Sequence, residues 1–404
     1  MINVVSKKLS NGADCYIVPK KGYKEKICMI AFKYGSCNNK YDIDGKSIIH
    51  PYGIAHFLEH KMFEDKSINI FETFSKLGLS ANAFTNFDTT AYYFKGCDNF
   101  EKGLALLCRM VGSLYLTDDN IKKEKDIINQ EINMYDDDPY WQLFFNTLKG
   151  CYKDNPCREG VAGSIKSVSQ ITKEMLFEGY NDFYTGDNCI MVVVGDVDCQ
   201  KVFEEAEKEL ILNTAKPQRA EYKDNYLNKK IRLNMDIDTP IYNIAFKQNI
   251  EEKLIDRVCV NGLILSVLTA KSSYLRQKLL NKGLINDYFG NENLVGLDYG
   301  VSIISGQGNT YDAVADEVLN YISECTATLN EDYISRLANV EKTKMLFGMQ
   351  NIEYIANNIV DFSSKGIEVL DIYNNYGKIS VEKILKYTTD YYSSDNMVIS
   401  VVEK

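Results

Sequence analysis

The chain holds three histidines in 404 residues, and two of them, His56 and His60, lie four apart in the run GIAHFLEHKMF (residues 53–63). On a helix that spacing is about one turn, so both imidazoles share a face and can bind one Zn²⁺ ion. Glu59 follows His56 by three positions and precedes His60 by one, which aims it at the same region. A carboxylate beside such an ion can take a proton from water, and the chemistry of the set is metal-assisted hydrolysis. The competing reading is two partly buried histidines on an amphipathic helix, and a third ligand decides between the two. His50, the remaining histidine, stands before Pro51 and reads as a surface residue in a loop.

The third ligand should be a carboxylate on a second helix. The segment EKDIINQEINMY sets Glu124, Ile127, Ile128 and Glu131 at i, i+3, i+4 and i+7, one helical stripe. Isoleucines on that stripe turn it toward the core, where a carboxylate is costly unless it is paired or binds a metal. Glu131 as ligand and Glu124 as the partner of a ligand would satisfy both; a wide helix face whose glutamates reach water is the alternative. The order H-x-x-E-H is the inverted form of the zinc-peptidase helix signature.

The elements that must position these groups can be read from periodicity and breakers. Strands are expected over 2–9, 13–19 and 26–35, the first two around a turn at Asn11-Gly12. A helix over 53–64 carries the histidines, a second over 68–77 stops at Gly78, and residues 80–95 form a hairpin. Longer helices follow over 98–116 and 118–148, then a helix over 172–183 and a β-branched strand over 189–195. Strands and helices in this mixed order make an α+β pattern.

The chain also repeats itself. Residues 171–194 align without a gap on residues 379–402, an offset of 208. Thr172 matches Ser380 as a helix N-cap, and Asp182, Tyr184, Asp187 and Asn188 match Asp390, Tyr392, Asp395 and Asn396. Two duplicated α/β-sandwich domains of about 200 residues are therefore expected. They would span 1–212 and 227–404, joined by a polar linker over 213–226 that contains Pro217. The offset carries His56 onto Ile264 and His60 onto Leu268, so the second copy should be free of metal.

The net charge of −10 disfavours nucleic acid, which needs a basic stripe, and an anionic membrane surface. Eleven scattered cysteines with no CxxC pair read as buried reduced thiols. The first residues lack the apolar core of a signal peptide, no apolar run approaches a membrane span, and a cytoplasmic location is expected.

With these motifs in place, GIAHFLEHKMFE followed by DIINQEINMYDDDP resembles the insulinase/pitrilysin family of zinc metallopeptidases, and by length its branch related to the mitochondrial processing peptidase. The LSNG start, the NAFT hairpin and the DNCIMVVVGDV strand extend the likeness over the N-terminal half. The resemblance implies a zinc endopeptidase with His56, His60 and Glu131 as ligands, Glu59 as base, and Asn82, Ala83, Phe84 and Thr85 on a strand that pairs with the substrate backbone. One departure stands out. Relatives carry an Arg and a Tyr in a second-domain segment like LRxxxGLxY, where this chain has Leu279 and Asn286, with Arg276 and Tyr288 nearby but out of place. The expected consequence is a dimer whose second, homologous subunit supplies the missing pair, the two chains enclosing a chamber for short or unfolded peptides. A non-catalytic structural subunit is the alternative, and metal analysis separates the two.

Overall fold

The computed structural model describes residues 3–324 and 329–404. In chain order the first half contains β1 (Val5–Lys8), β2 (Asp14–Pro19), β3 (Lys26–Phe32), β4 (Lys40–Ile43), β5 (Lys46–Ile49), α1 (Ile54–Lys61), α2 (Ile70–Lys76), β6 (Ser80–Thr85), β7 (Thr90–Gly96), α3 (Phe100–Val111), α4 (Asp118–Asp136), α5 (Pro139–Cys151), α6 (Ile165–Ser169), α7 (Lys173–Phe183), β8 (Cys189–Gly195), α8 (Cys199–Glu209) and β9 (Gln218–Arg219). The second half contains β10 (Lys230–Asn234), β11 (Ile241–Lys247), α9 (Leu254–Thr269), α10 (Tyr274–Asn281), β12 (Gly290–Val295), β13 (Gly300–Gln307), α11 (Tyr311–Glu324), α12 (Glu331–Gly348), α13 (Ile352–Ser364), α14 (Val369–Tyr376), α15 (Val381–Tyr391) and β14 (Met397–Glu403).

Three sheets form. The first runs β1-β2-β8-β3-β7-β6, the second β10-β14-β11-β13-β12, and a small one β5-β4-β9. The last five strands of the first sheet and the five of the second follow one plan. β8 lies parallel to β2, as β14 lies parallel to β10, and the remaining pairs are antiparallel. The repeat read from the sequence recurs in two local hydrogen bonds. The Thr172 hydroxyl accepts from Met175 N at 3.3 Å, and Ser380 accepts from Lys383 N at 3.3 Å. Asn188 Nδ2 donates to Phe183 O at 2.9 Å, and Asn396 Nδ2 to Tyr391 O at 2.7 Å. Every residue of β8 is buried, as its β-branched run requires for a strand covered on both faces.

The chain divides into two compact units, neither contiguous. Unit 1 comprises Met1–Asn133, Glu159–Ala220 and Leu346–Val369; unit 2 comprises Met134–Arg158, Glu221–Met345 and Leu370–Lys404. Within unit 1, α13 lies on β8 and β3, and Glu353 pairs with Lys95 at 2.6 Å. Within unit 2, α5 covers β14 and β11; its Leu143 packs with Ile241 and Val402, and Asn243 donates to Thr147 Oγ1 at 3.0 Å.

Three expectations need correction. The helix expected over 118–148 is two helices. Pro139 bars Asp138 from helical geometry, and Asp138, extended at φ −85° and ψ 113°, caps α5 by accepting from Tyr140 N and Trp141 N. Ile127 does not face the core: it is 52% exposed, and the buried stripe of α4 is Ile121, Glu124, Ile128 and Ile132. His50 is buried rather than superficial, and its Nε2 meets Glu178 Oε2 at 2.9 Å.

Eight of the ten described cysteines are buried. The stretch Leu254–Asn281 has the apolarity of a membrane-crossing segment. It consists of two helices, however, and most of α9 is buried within unit 2, so its apolarity belongs to a core.

Candidate metal centre

Gly53 opens α1 with φ 91°, a left-handed conformation that favours glycine, and a Cβ there would collide with the Ala162 carbonyl. The helix is then seated by Ile54, Ala55, Phe57 and Leu58, all buried, against β6, β7 and α7. His56 and His60 project from one side, one turn apart, with ring centroids separated by 4.6 Å. The isoleucines of α4 seat that helix in turn and leave Glu124 and Glu131 toward the histidines.

His56 Nε2 lies 3.6 Å from Glu131 Oε1, and His60 Nε2 lies 3.6 Å from Glu131 Oε2. These separations are long for hydrogen bonds. They suit two imidazoles and one carboxylate around one ion, since zinc bonds of about 2.0–2.2 Å in tetrahedral array put ligand atoms roughly 3.3–3.6 Å apart. One ligand atom from each of the three residues lies within 4.8 Å of the others. The donor set of two imidazoles and one carboxylate fits zinc and leaves room for a fourth ligand.

The two rings are held differently. His60 Nδ1 is 2.8 Å from Glu124 Oε1, which fixes the ring and directs its Nε2 toward Glu131. His56 Nδ1 is buried without a hydrogen-bond partner, so packing holds that ring. Burial alone would push the His60 pKa down, but the hydrogen bond and charge of Glu124, with the charges of Glu59 and Glu131, leave it raised. Burial likewise pushes Glu124 up, and its hydrogen bonds to His60 and Lys61 outweigh that, so the carboxyl is held below its ordinary range. Glu59 Oε2 accepts a hydrogen bond from Thr85 Oγ1 at 2.7 Å. Thr90, next to Thr85 across the hairpin, donates its own proton to Tyr34 O at 2.7 Å.

β6, which carries Asn82, Ala83, Phe84 and Thr85, is the outermost strand of its sheet. Beside it opens a cavity of about 620 Å³ lined by Glu59, His60, Phe63, Ile68, Phe71, Asn82 and Ala83. The sequence-predicted residues therefore gather around one point: three that could hold an ion, one base candidate, one carboxylate behind a ligand, and a strand edge. Two roles were missed. Lys61 is fully buried and bound to Glu124; its place one turn after the buried Phe57 was the available signal. Thr85, read only as part of a strand, bonds the base candidate, and nothing in its spacing announces that contact.

In unit 2 none of the substitutes for the missing Arg/Tyr pair stands free in the right place. Leu279 is buried, Arg276 is buried and donates to Thr269 O at 3.1 Å and Phe289 O at 2.5 Å, and Tyr288 is exposed two residues late.

Comparison with known proteins identifies the family. The sequence profile of insulinase (Peptidase family M16) matches residues 32–164, and that of the Peptidase M16 inactive domain matches residues 170–340. The uncharacterized zinc protease YmfH of Bacillus subtilis is 31% identical, over 98% of this chain and 95% of the relative. The zinc protease PqqE of Helicobacter pylori is 26% identical over 95% of this chain and 84% of that protein. The crystal structure of an M16-like peptidase from Alicyclobacillus acidocaldarius matches with a TM-score of 0.93 at 26% identity, covering 100% of this chain and 98% of the other. The chain belongs to the insulinase (M16) peptidase family and has that family's two α/β domains.

Proposed function

We propose that this chain is a zinc-dependent endopeptidase acting on short or unfolded peptides. The observation that carries the reading is the convergence of His56, His60 and Glu131 at 3.6 Å separations beside Glu59. Zinc bound by these three residues would polarise the scissile carbonyl and acidify a water molecule. Glu59 takes the proton from that water and delivers it to the leaving amine. Thr85 occupies Glu59 Oε2, so the proton travels on Oε1. The free edge of β6 offers main-chain donors and acceptors to an extended substrate, and Asn82, Ala83, Phe84 and Thr85 register it beside the base.

Leu279 and Asn286 cannot bind or polarise a carbonyl as an Arg and a Tyr would. A second, homologous subunit supplies those groups in this reading, and the metal-bearing chain works as one half of a dimer that encloses the substrate. Activity assays across size-exclusion fractions test this part, and full activity in a monomer fraction overturns it.

Glu59→Gln tests the central claim. The variant should retain zinc at the parent stoichiometry and lose turnover by about 10²–10⁴-fold or more. Peptide cleavage at the parent rate would remove Glu59 from the mechanism.

A further inference from the structure

Lys61 has no exposed surface, although it follows a ligand directly and carries a full charge. An ammonium in such a place must have its three N–H donors satisfied and its charge matched. Lys61 Nζ donates to Glu64 Oε1, to Glu124 Oε2 at 3.1 Å and to Asn120 O at 3.4 Å. Asn120 Nδ2 in turn donates to the other oxygen of Glu64. Glu124 is therefore held at both oxygens, one by Lys61 and one by His60 Nδ1 at 2.8 Å.

The geometry points to Lys61 as a positioning residue for the metal centre: by clamping Glu124 it fixes the ring of His60 and so sets how tightly zinc is held. This rests on the reading of His56, His60 and Glu131 as zinc ligands. The clamp acts on one ligand only. His56 Nδ1 has no hydrogen-bond partner, so among the described residues the chain Glu64–Lys61–Glu124–His60 is the polar device that orients an imidazole of the candidate centre. Without the ammonium, Glu124 Oε2 is left buried and unpaired. The carboxylate then gains by turning toward water, and the His60 ring loses the contact that aims Nε2 at the common point. Partners at this remove from an ion typically change its affinity by about 10–100-fold.

A purely structural ion pair between α1 and α4 would behave differently, because losing it would lower the stability of the metal-free chain and leave zinc affinity alone. Zinc affinity of the full chain, measured by competition with a chromophoric chelator, separates the two. Lys61→Met should bind zinc about 10–100-fold more weakly while keeping the parent circular dichroism, and Lys61→Arg, which keeps the charge, should recover most of that loss. In a Glu124→Gln background, Lys61→Met should add little further loss, because its effect passes through Glu124. Should Lys61→Met not fold, Lys61→Gln keeps two N–H donors without the charge and should weaken zinc by about tenfold. Parent-like zinc affinity in the uncharged variants, or an undiminished effect of Lys61→Met without Glu124, overturns the assignment and leaves the peptidase reading standing. A parent chain that takes up no zinc overturns both.

Discussion

The two large sheets share a plan, but among the described residues only one of them faces a candidate metal centre. Measured on the hairpins, β6 to β12 and β7 to β13, the offset between the copies is 210 residues. That register sets Ser266 against His56, Ala270 against His60 and Glu341 against Glu131. Ser266 Oγ donates to Glu341 Oε1 at 3.0 Å, so α9 and α12 still meet through a polar pair where α1 and α4 present imidazoles and a carboxylate. At the offset of 208 read from the closing strands, Ile264 and Leu268 take the histidine places, and both are buried. In both registers the second copy has lost the rings; the carboxylate is kept only at 210, since at 208 Asn339 takes the place of Glu131. The architecture is sustained by apolar burial and caps, and chemistry is added or removed by a handful of side chains.

The comparison can be broken by making unit 1 resemble unit 2. His56→Ser with His60→Ala should produce the largest effect: zinc content falls to background by elemental analysis, peptide cleavage disappears, and the fold persists by circular dichroism. Retained stoichiometric zinc in that variant would mean the metal sits elsewhere. Thr85 corresponds to Val295 at the offset of 210. Thr85→Val should lower kcat by about 10–150-fold with little change in KM, since a hydrogen bond to a charged group is worth about 1.5–3 kcal/mol and the strand edge stays intact. Thr85→Ser should restore the rate; a loss confined to KM would make Thr85 a substrate contact and nothing more. The smallest effect sharpens the likeness instead. Thr172→Ala and Ser380→Ala each remove one N-cap and should each cost about 1 kcal/mol in denaturant unfolding. A large inequality between them would show that the repeated caps are no longer equivalent.

Much of the site was legible in the sequence because helical periodicity turns spacing into direction. His56, Glu59 and His60 needed only α1 to be helical, and Glu131 needed only a second helix with one buried side. The wrong placement of Ile127 shows the limit: a stripe four residues wide has two edges, and packing decides which one is covered. The break before Pro139 was also written in the chain, but the pattern of apolar residues runs straight across it. Lys61 and Thr85 lay out of reach for a different reason. Their roles depend on which helix or strand end comes to rest beside them, and such pairings across distant segments leave no trace in local spacing. The same holds for α5 and α13, whose sequences announce amphipathic helices but not the sheets they cover.

That placement of α13 has a bearing on biosynthesis. The sheet behind the candidate zinc centre receives its covering helix from residues 352–364, far downstream of the strands it covers. At about 5–20 residues per second, a ribosome needs roughly 7–28 s after finishing the linker to deliver that segment. During this interval β3 and β8 have their strand partners but lack one apolar cover, so nascent chains pass through a stage in which a sticky surface must be shielded from neighbours. A gene fragment ending at the linker would be arrested permanently at that stage.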